Sequence, residues 1–175
     1  MPDFALRHVP ALAAKAPHRS SGIALSALPE GHVIHVLGSF DGPDLAPALA
    51  ALAPGNAYAV RRAGPGQWFI VGDEPSMAEA LLQRLPQGAY GVDQSHGRVG
   101  IRIEGPMVER VLCKGTALDL DLSVFPVGHS ANTLIGHIGA HITRVAANAF
   151  EIIALRGFAE SLWDDLLQMS AEFAE

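Results

Sequence analysis

Two stretches of this chain repeat one grammar, and that repetition narrows its fold more than any other feature. VIHVLGSFDGPDLAPALAALAP begins at Val33 and VGIRIEGPMVERVLCKGTALD at Val99. Each sets an apolar, strand-like run before Gly-Pro punctuation and a helix-like segment. A second pair follows the same logic. WFIVGDEPSMAEALLQRL from Trp68 and FEIIALRGFAESLWDDLL from Phe150 each place a strand, a glycine and an acidic step before an amphipathic helix. The chain therefore reads as α+β, with duplicated ferredoxin-like halves of order β-α-β-β-α. Chance likeness between two α/β units stays open. It leaves the same broad expectation, helices packed on mostly antiparallel strands.

Residues 1–30 lack this rhythm, since His18 to Gly22 and then Pro29 interrupt it, and they read as an irregular N-terminal arm. Residues 31–175 read as a single α+β domain of two pseudo-repeats, about 31–86 and 97–173. In the first, strands are expected at His32–Leu37, Ala57–Arg62 and Trp68–Val71, with a tight turn at Gly64-Pro65-Gly66. Helices are expected at Asp44–Leu52, stopping before Pro54-Gly55, and at Ser76–Leu85. In the second, Val99–Ile103 is a strand and Met107–Lys114 a helix ended by Gly115. An irregular stretch runs through Phe125, Pro126 and Gly128. Strands Leu134–Val145 and Phe150–Leu155 then flank a turn at Ala147-Asn148. The last helix, Ala159–Phe173, lines Leu162, Leu166 and Phe173 on one face with Trp163 beside them, leaving Asp164 and Asp165 wet.

With 49% apolar residues over 175 positions and a mean hydropathy of +0.24, disorder is excluded for most of the chain. The net charge of −6 and the absence of any Lys/Arg cluster argue against a nucleic-acid ligand. Only Lys15 and Lys114 are lysines, which suits a surface partly covered by a partner. His8, Pro10 and Lys15 interrupt any signal-like N-terminus, and no apolar run reaches the ~18 residues of a membrane span. A cytoplasmic location is expected.

Candidate chemistry is sparse. Cys113 is the single cysteine, so neither an intrachain disulfide nor a cysteine metal cluster is available. Near a helix C-terminus, the dipole disfavours its thiolate, and it reads as a small half-buried thiol. His137 and His141 have metal-ligand spacing. On one strand, however, they would stand ~13 Å apart, too far for one ion, which suits solvated histidines or an interface cover. Gly64-Pro65-Gly66 lacks the spacing of a phosphate loop. Asp119 and Asp121, with Asp93, are the notable carboxylates, and the LDLDL pair reads as a solvated strand edge. No catalytic, cofactor-binding or metal residue is assigned.

Taken together, DQSHGRVGIRIEGPMVERVLCKGTALDL, FPVGHSANTLIGHIGAHITRV, FEIIALRGFAESLWDDLL and the upstream GPGQWFIVGD resemble the gamma subunit of heterotetrameric sarcosine oxidase, from about Arg61 to Leu167. The resemblance implies a fold similar to the folate-binding aminomethyltransferase (T-protein) fold. It implies a non-catalytic, structural role in ordering a large alpha subunit, with beta and delta subunits as further partners. The assembly it implies oxidatively demethylates sarcosine to glycine, releases hydrogen peroxide and passes the one-carbon unit to tetrahydrofolate. FAD, FMN, NAD and tetrahydrofolate are then expected in the partner subunits and none in this chain. His129, His137 and His141 acquire no role from it. Two alternatives stand beside this reading: a stand-alone folate-binding or aminomethyltransferase-like protein, and a scaffold for another N-methyl amine dehydrogenase.

Overall fold

The computed structural model describes residues 7–52 and 58–173. The expected helix stop at Pro54-Gly55 and strand start at Ala57 lie outside these residues, as do residues 1–6 and 174–175. In chain order the elements are β1 (His18–Arg19), β2 (Ala24–Ala27), β3 (His32–Leu37), α1 (Ala46–Ala50), β4 (Ala59–Gly64), β5 (Gln67–Gly72), α2 (Met77–Gln83) and β6 (Tyr90–Asp93). They continue with β7 (Arg98–Glu104), α3 (Val108–Leu112), β8 (Ser130–Ile135), β9 (Ile138–Ala146), β10 (Ala149–Leu155) and α4 (Ala159–Ser170).

Two antiparallel sheets result, one ordered β4-β5-β3-β6 and the other β1-β2-β7-β10-β9-β8. Strand periodicity explains their packing. In β7, Val99, Ile101 and Ile103 are buried while their neighbours are only partly so, because alternate side chains point to opposite faces. The buried set joins Phe150 and Ile152 of β10, Val111 of α3 and Leu162, Trp163 and Leu166 of α4 in the larger core. Ile34 and Val36 of β3, Trp68 and Ile70 of β5, Leu49 of α1 and Leu81 of α2 form the smaller. Each sheet thus carries its helices on one face and turns the other toward its partner sheet.

The small sheet is a complete β-α-β-β-α-β unit, since β3, α1, β4, β5, α2 and β6 follow one another in the chain. β5 lies between β3 and β4 and is antiparallel to both, so α1 serves as a crossover between two parallel strands. The large sheet places β7, α3, β9, β10 and α4 in the same relation, but no strand follows α4 among the described residues. The fourth position is filled by β2, which pairs Leu25 with Ile103 and Ala27 with Ile101.

This corrects the irregular arm expected over residues 1–30. Ile23 and Leu25 are each 1% exposed and Leu12 is also buried, so the segment belongs to the larger core. Its approach is close at Gly105, where φ is +134° and a Cβ would stand 2.3 Å from the Gly22 carbonyl oxygen. Only glycine fits there. A second correction concerns Leu134–Val145, which is no single strand. Gly136 and His137 turn β8 into β9, and Gly136, with φ +59°, holds the first central position of this two-residue turn, as a II′ hairpin turn requires. β6 was not anticipated either.

Candidate functional site: a charged layer between the sheets

Where the sheets meet, the alternation that buries aliphatic side chains under the helices presents polar ones to each other. Arg61 projects from β4, Glu151 from β10 and Arg102 from β7. Arg61 Nη2 donates to Glu151 Oε2, and Arg102 Nη1 donates to Glu151 Oε1 at 3.3 Å. Arg102 also donates through Nε to Glu104 at 2.8 Å. Register explains one half of this triad, because Arg102 and Glu151 are direct cross-strand partners. The other half spans the two sheets.

Around the triad lie aromatic and imidazole rings. Phe69 of β5 stacks edge-on with His141 at 5.0 Å, lies 4.8 Å from the His35 ring and carries the Arg98 guanidinium over its face at 4.7 Å. Burial lowers the Arg98 pKa, and it lowers that of His35 although a hydrogen bond with Gln67 opposes the shift. His141 is 1% exposed, and its Nε2 meets the Arg62 carbonyl at 3.0 Å. A carbonyl only accepts, so the proton sits on Nε2 and Nδ1 keeps a lone pair. Burial pushes the His141 pKa down to about 4, with Arg61 and Arg98 adding to the effect. At neutral pH it is an uncharged tie to edge strand β4. Asn132 of β8 does the same for the neighbouring Ala63 carbonyl at 2.5 Å. Both carbonyls of an edge strand are thereby satisfied by the other sheet.

A cleft of about 540 Å³ opens along this layer. Arg61, Arg98, Arg102 and Glu151 line it, with Leu28 and Ile153 among its apolar walls. Glu30, also lining it, receives Arg156 Nη1 at 2.8 Å, His8 Nε2 at 2.7 Å and the Ala11 N–H at 2.7 Å. Burial works to raise the Glu30 pKa, but these partners, Arg156 foremost, outweigh it and hold the carboxyl below its usual value. Among the described residues, Nε and Nη1 of Arg61 are buried without an acceptor.

The residues singled out from the sequence lie elsewhere or behave otherwise. His137 is exposed in the β8–β9 turn and His141 is buried between the sheets, so they share neither a strand face nor solvent. His129 is exposed beside Phe125. Cys113 is exposed rather than half-buried, because Val108, Val111 and Leu112 take the inward phase of α3. Asp119 and Asp121 occupy no strand. Each caps a turn, accepting from the N–H two residues on, at 3.0 and 2.9 Å. Asp93 does likewise for Ser95 at 2.9 Å. Gly64 to Gly66 make the β4–β5 turn. Among the described residues, no group of three or more His, Cys, Asp or Glu could hold a metal ion, and no helix is long and apolar enough to cross a membrane.

The missed residues, Arg61, Arg98, Arg102 and Glu151, carry no motif. Their one signal is charge at the outward phase of otherwise apolar strands, as in RVGIRIE and FEIIAL.

Comparison with known proteins fits this architecture. Over 159 residues, 87% of this chain and 76% of the relative, it is 27% identical to sarcosine oxidase subunit gamma of Corynebacterium sp. (strain U-96). A chain of the heterotetrameric sarcosine oxidase of Corynebacterium sp. U-96 superposes with a TM-score of 0.80 at 20% identity, covering 96% of this chain and 97% of that one. The glycine cleavage system aminomethyltransferase T of Bartonella henselae gives 0.60 at 17% identity over 85% of this chain, which spans 46% of that transferase. The fold is thus the one expected, shared with the aminomethyltransferase. The model of the sarcosine oxidase, gamma subunit family matches residues 33–172, and the chain belongs to that family.

Proposed function

We propose that this chain is a non-catalytic subunit of a heterotetrameric sarcosine oxidase, ordering its large alpha subunit alongside beta and delta subunits. The assembly oxidises the methyl group of sarcosine to leave glycine, yields hydrogen peroxide, and delivers the one-carbon unit to tetrahydrofolate. FAD, FMN, NAD and tetrahydrofolate belong to the partner subunits, and the complex works in the cytoplasm. The observation that carries this reading is the match along nearly the whole length of both chains to a component of such a heterotetramer. Exposed apolar side chains support a covered surface: Phe40 and Tyr90 are each 75% exposed, and Phe158 is 52% exposed.

Affinity purification of the tagged chain from its native cells tests this. A yellow complex with a large flavoprotein that makes peroxide from sarcosine is expected. Point substitutions in this chain that preserve assembly should leave turnover per flavin unchanged. A colourless chain that purifies alone would overturn the reading and turn attention to tetrahydrofolate binding by the isolated protein.

A further inference from the structure

The chain from Cys113 to His129 joins α3 to β8 without forming a helix or strand. Irregular connections of this length are uncommon in compact folds, and the ordered ones are usually functional. This one is ordered from within. Leu120 and Phe125 enter the larger core. The fully buried Arg144 donates through Nη2 to the Leu120 carbonyl and to Glu109, the latter at 2.7 Å. At the far end the Gly128 N–H donates to the Arg144 carbonyl at 2.8 Å, and the Arg144 N–H to the His129 carbonyl at 3.0 Å. Between these anchors the Asp121 carbonyl accepts from the N–H groups of Val124 and Phe125 at 2.9 and 2.7 Å. The His129 N–H closes a turn onto the Pro126 carbonyl at 3.0 Å, and Gly128, with φ +90°, has the positive φ that a type II turn requires there.

What this framework holds outward is apolar. Leu122 is 46%, Val124 55% and Val127 54% exposed. Their backbone is pinned, so they cannot turn inward, and in the free chain water must cover them. Carboxylates stand beside them. Asp119 and Asp121 are exposed and, among the described residues, form no ion pair. The neighbouring cations are committed elsewhere, Arg144 to Glu109 and Lys114 to Glu172 at 2.6 Å. His129 packs edge-on against Phe125 at 6.0 Å.

We propose that this loop is a preformed docking knob for the alpha subunit, with Leu122, Val124 and Val127 entering an apolar pocket whose rim presents arginine or lysine to Asp119 and Asp121. An apolar centre within a charged rim is the division found in specific interfaces, and a loop ordered before it binds loses little freedom on docking. The unpaired carboxylates select a basic surface over a second copy of this chain, whose own loop would oppose them with like charge. The proposal rests on the subunit reading.

Hydroxyl-radical labelling of the free chain and of the purified complex tests it. Leu122, Val124 and Val127 are expected to label readily in the free chain and at least about fivefold less in the complex. The triple variant Leu122→Ser, Val124→Ser, Val127→Ser should speed dissociation from the complex at least about tenfold and leave the unfolding midpoint of the free chain in place. The double variant Asp119→Asn, Asp121→Asn keeps the turn caps. It should weaken association about threefold or more at low salt and far less at high salt. Equal labelling in chain and complex, or unchanged dissociation of both variants, overturns the knob while the complex itself stands. A wild-type chain that captures no flavoprotein removes the subunit reading and the knob together. Protection that rises with the concentration of the free chain assigns the loop to a second copy and also overturns the proposal. Should the triple variant fold poorly, the asparagine pair and the labelling decide.

Discussion

The small sheet closes its unit with β6, the strand that follows α2 directly, whereas the large sheet takes β2 from the opposite end of the chain. Local closure needs one short loop. Distant closure must order a long intervening segment, and it gains only when Ile23 and Leu25 enter the core. The investment is matched by size. The large half has a 12-residue α4 and buries Trp163 and Phe150, while the small half relies on helices of 5 and 7 residues. Equivalent topologies can therefore differ in what holds them, and the small half should be the first to open.

The largest expected effect comes from the large core. Trp163→Ala should cost about 4 kcal/mol in urea unfolding, and Leu81→Ala in the small core about 3. If Leu81→Ala proved the more damaging, the ranking of the halves would be reversed. Leu25→Ala, which probes the distant closure itself, should cost about 3 kcal/mol and should speed hydrogen exchange in β7. An effect below about 0.5 kcal/mol would make β2 ornamental.

Acid tests the layer joining the halves. His141 has a folded pKa of about 4, well below the ordinary imidazole value, so the unfolded chain binds this proton first as pH falls. Its contribution is complete above about pH 6.5 and is lost progressively down to about pH 4, on the order of 3 kcal/mol. His35, depressed in the same direction, adds to the slope. His141→Gln should flatten the stability–pH profile in that window, and an unchanged slope would move the origin of acid sensitivity elsewhere. The smallest effect belongs to Cys113→Ser, within about 0.5 kcal/mol, because the side chain is exposed beyond the inward phase of α3. Loss of turnover in an otherwise assembled complex would give this thiol a chemical role.

Much of this was readable residue by residue. HVIHVL, QWFIVG and RVGIRIE declare strands because a period of two with β-branched side chains suits a pleated surface, and AESLWDDLLQMS declares a helix. The β8–β9 turn was hidden because Ile-Gly-His-Ile keeps strand-like neighbours on both sides, leaving one glycine as the break. Ala24–Ala27 was hidden because a four-residue strand acquires its identity from its partner, β7, far along the chain. The candidate site was the least legible. Arg61 and Glu151 look like ordinary solvated charges until the sheets stack and remove the solvent.

Side-chain order alone dictated the α+β class, the repeated units and the helix-facing cores, since those follow from periodicities that act over a few residues. Which strand would complete the second unit, which faces would meet, and that charges would be buried between them were decided in three dimensions. Pairing and desolvation are properties of surfaces brought together, and local spacing carries no record of which surfaces those will be.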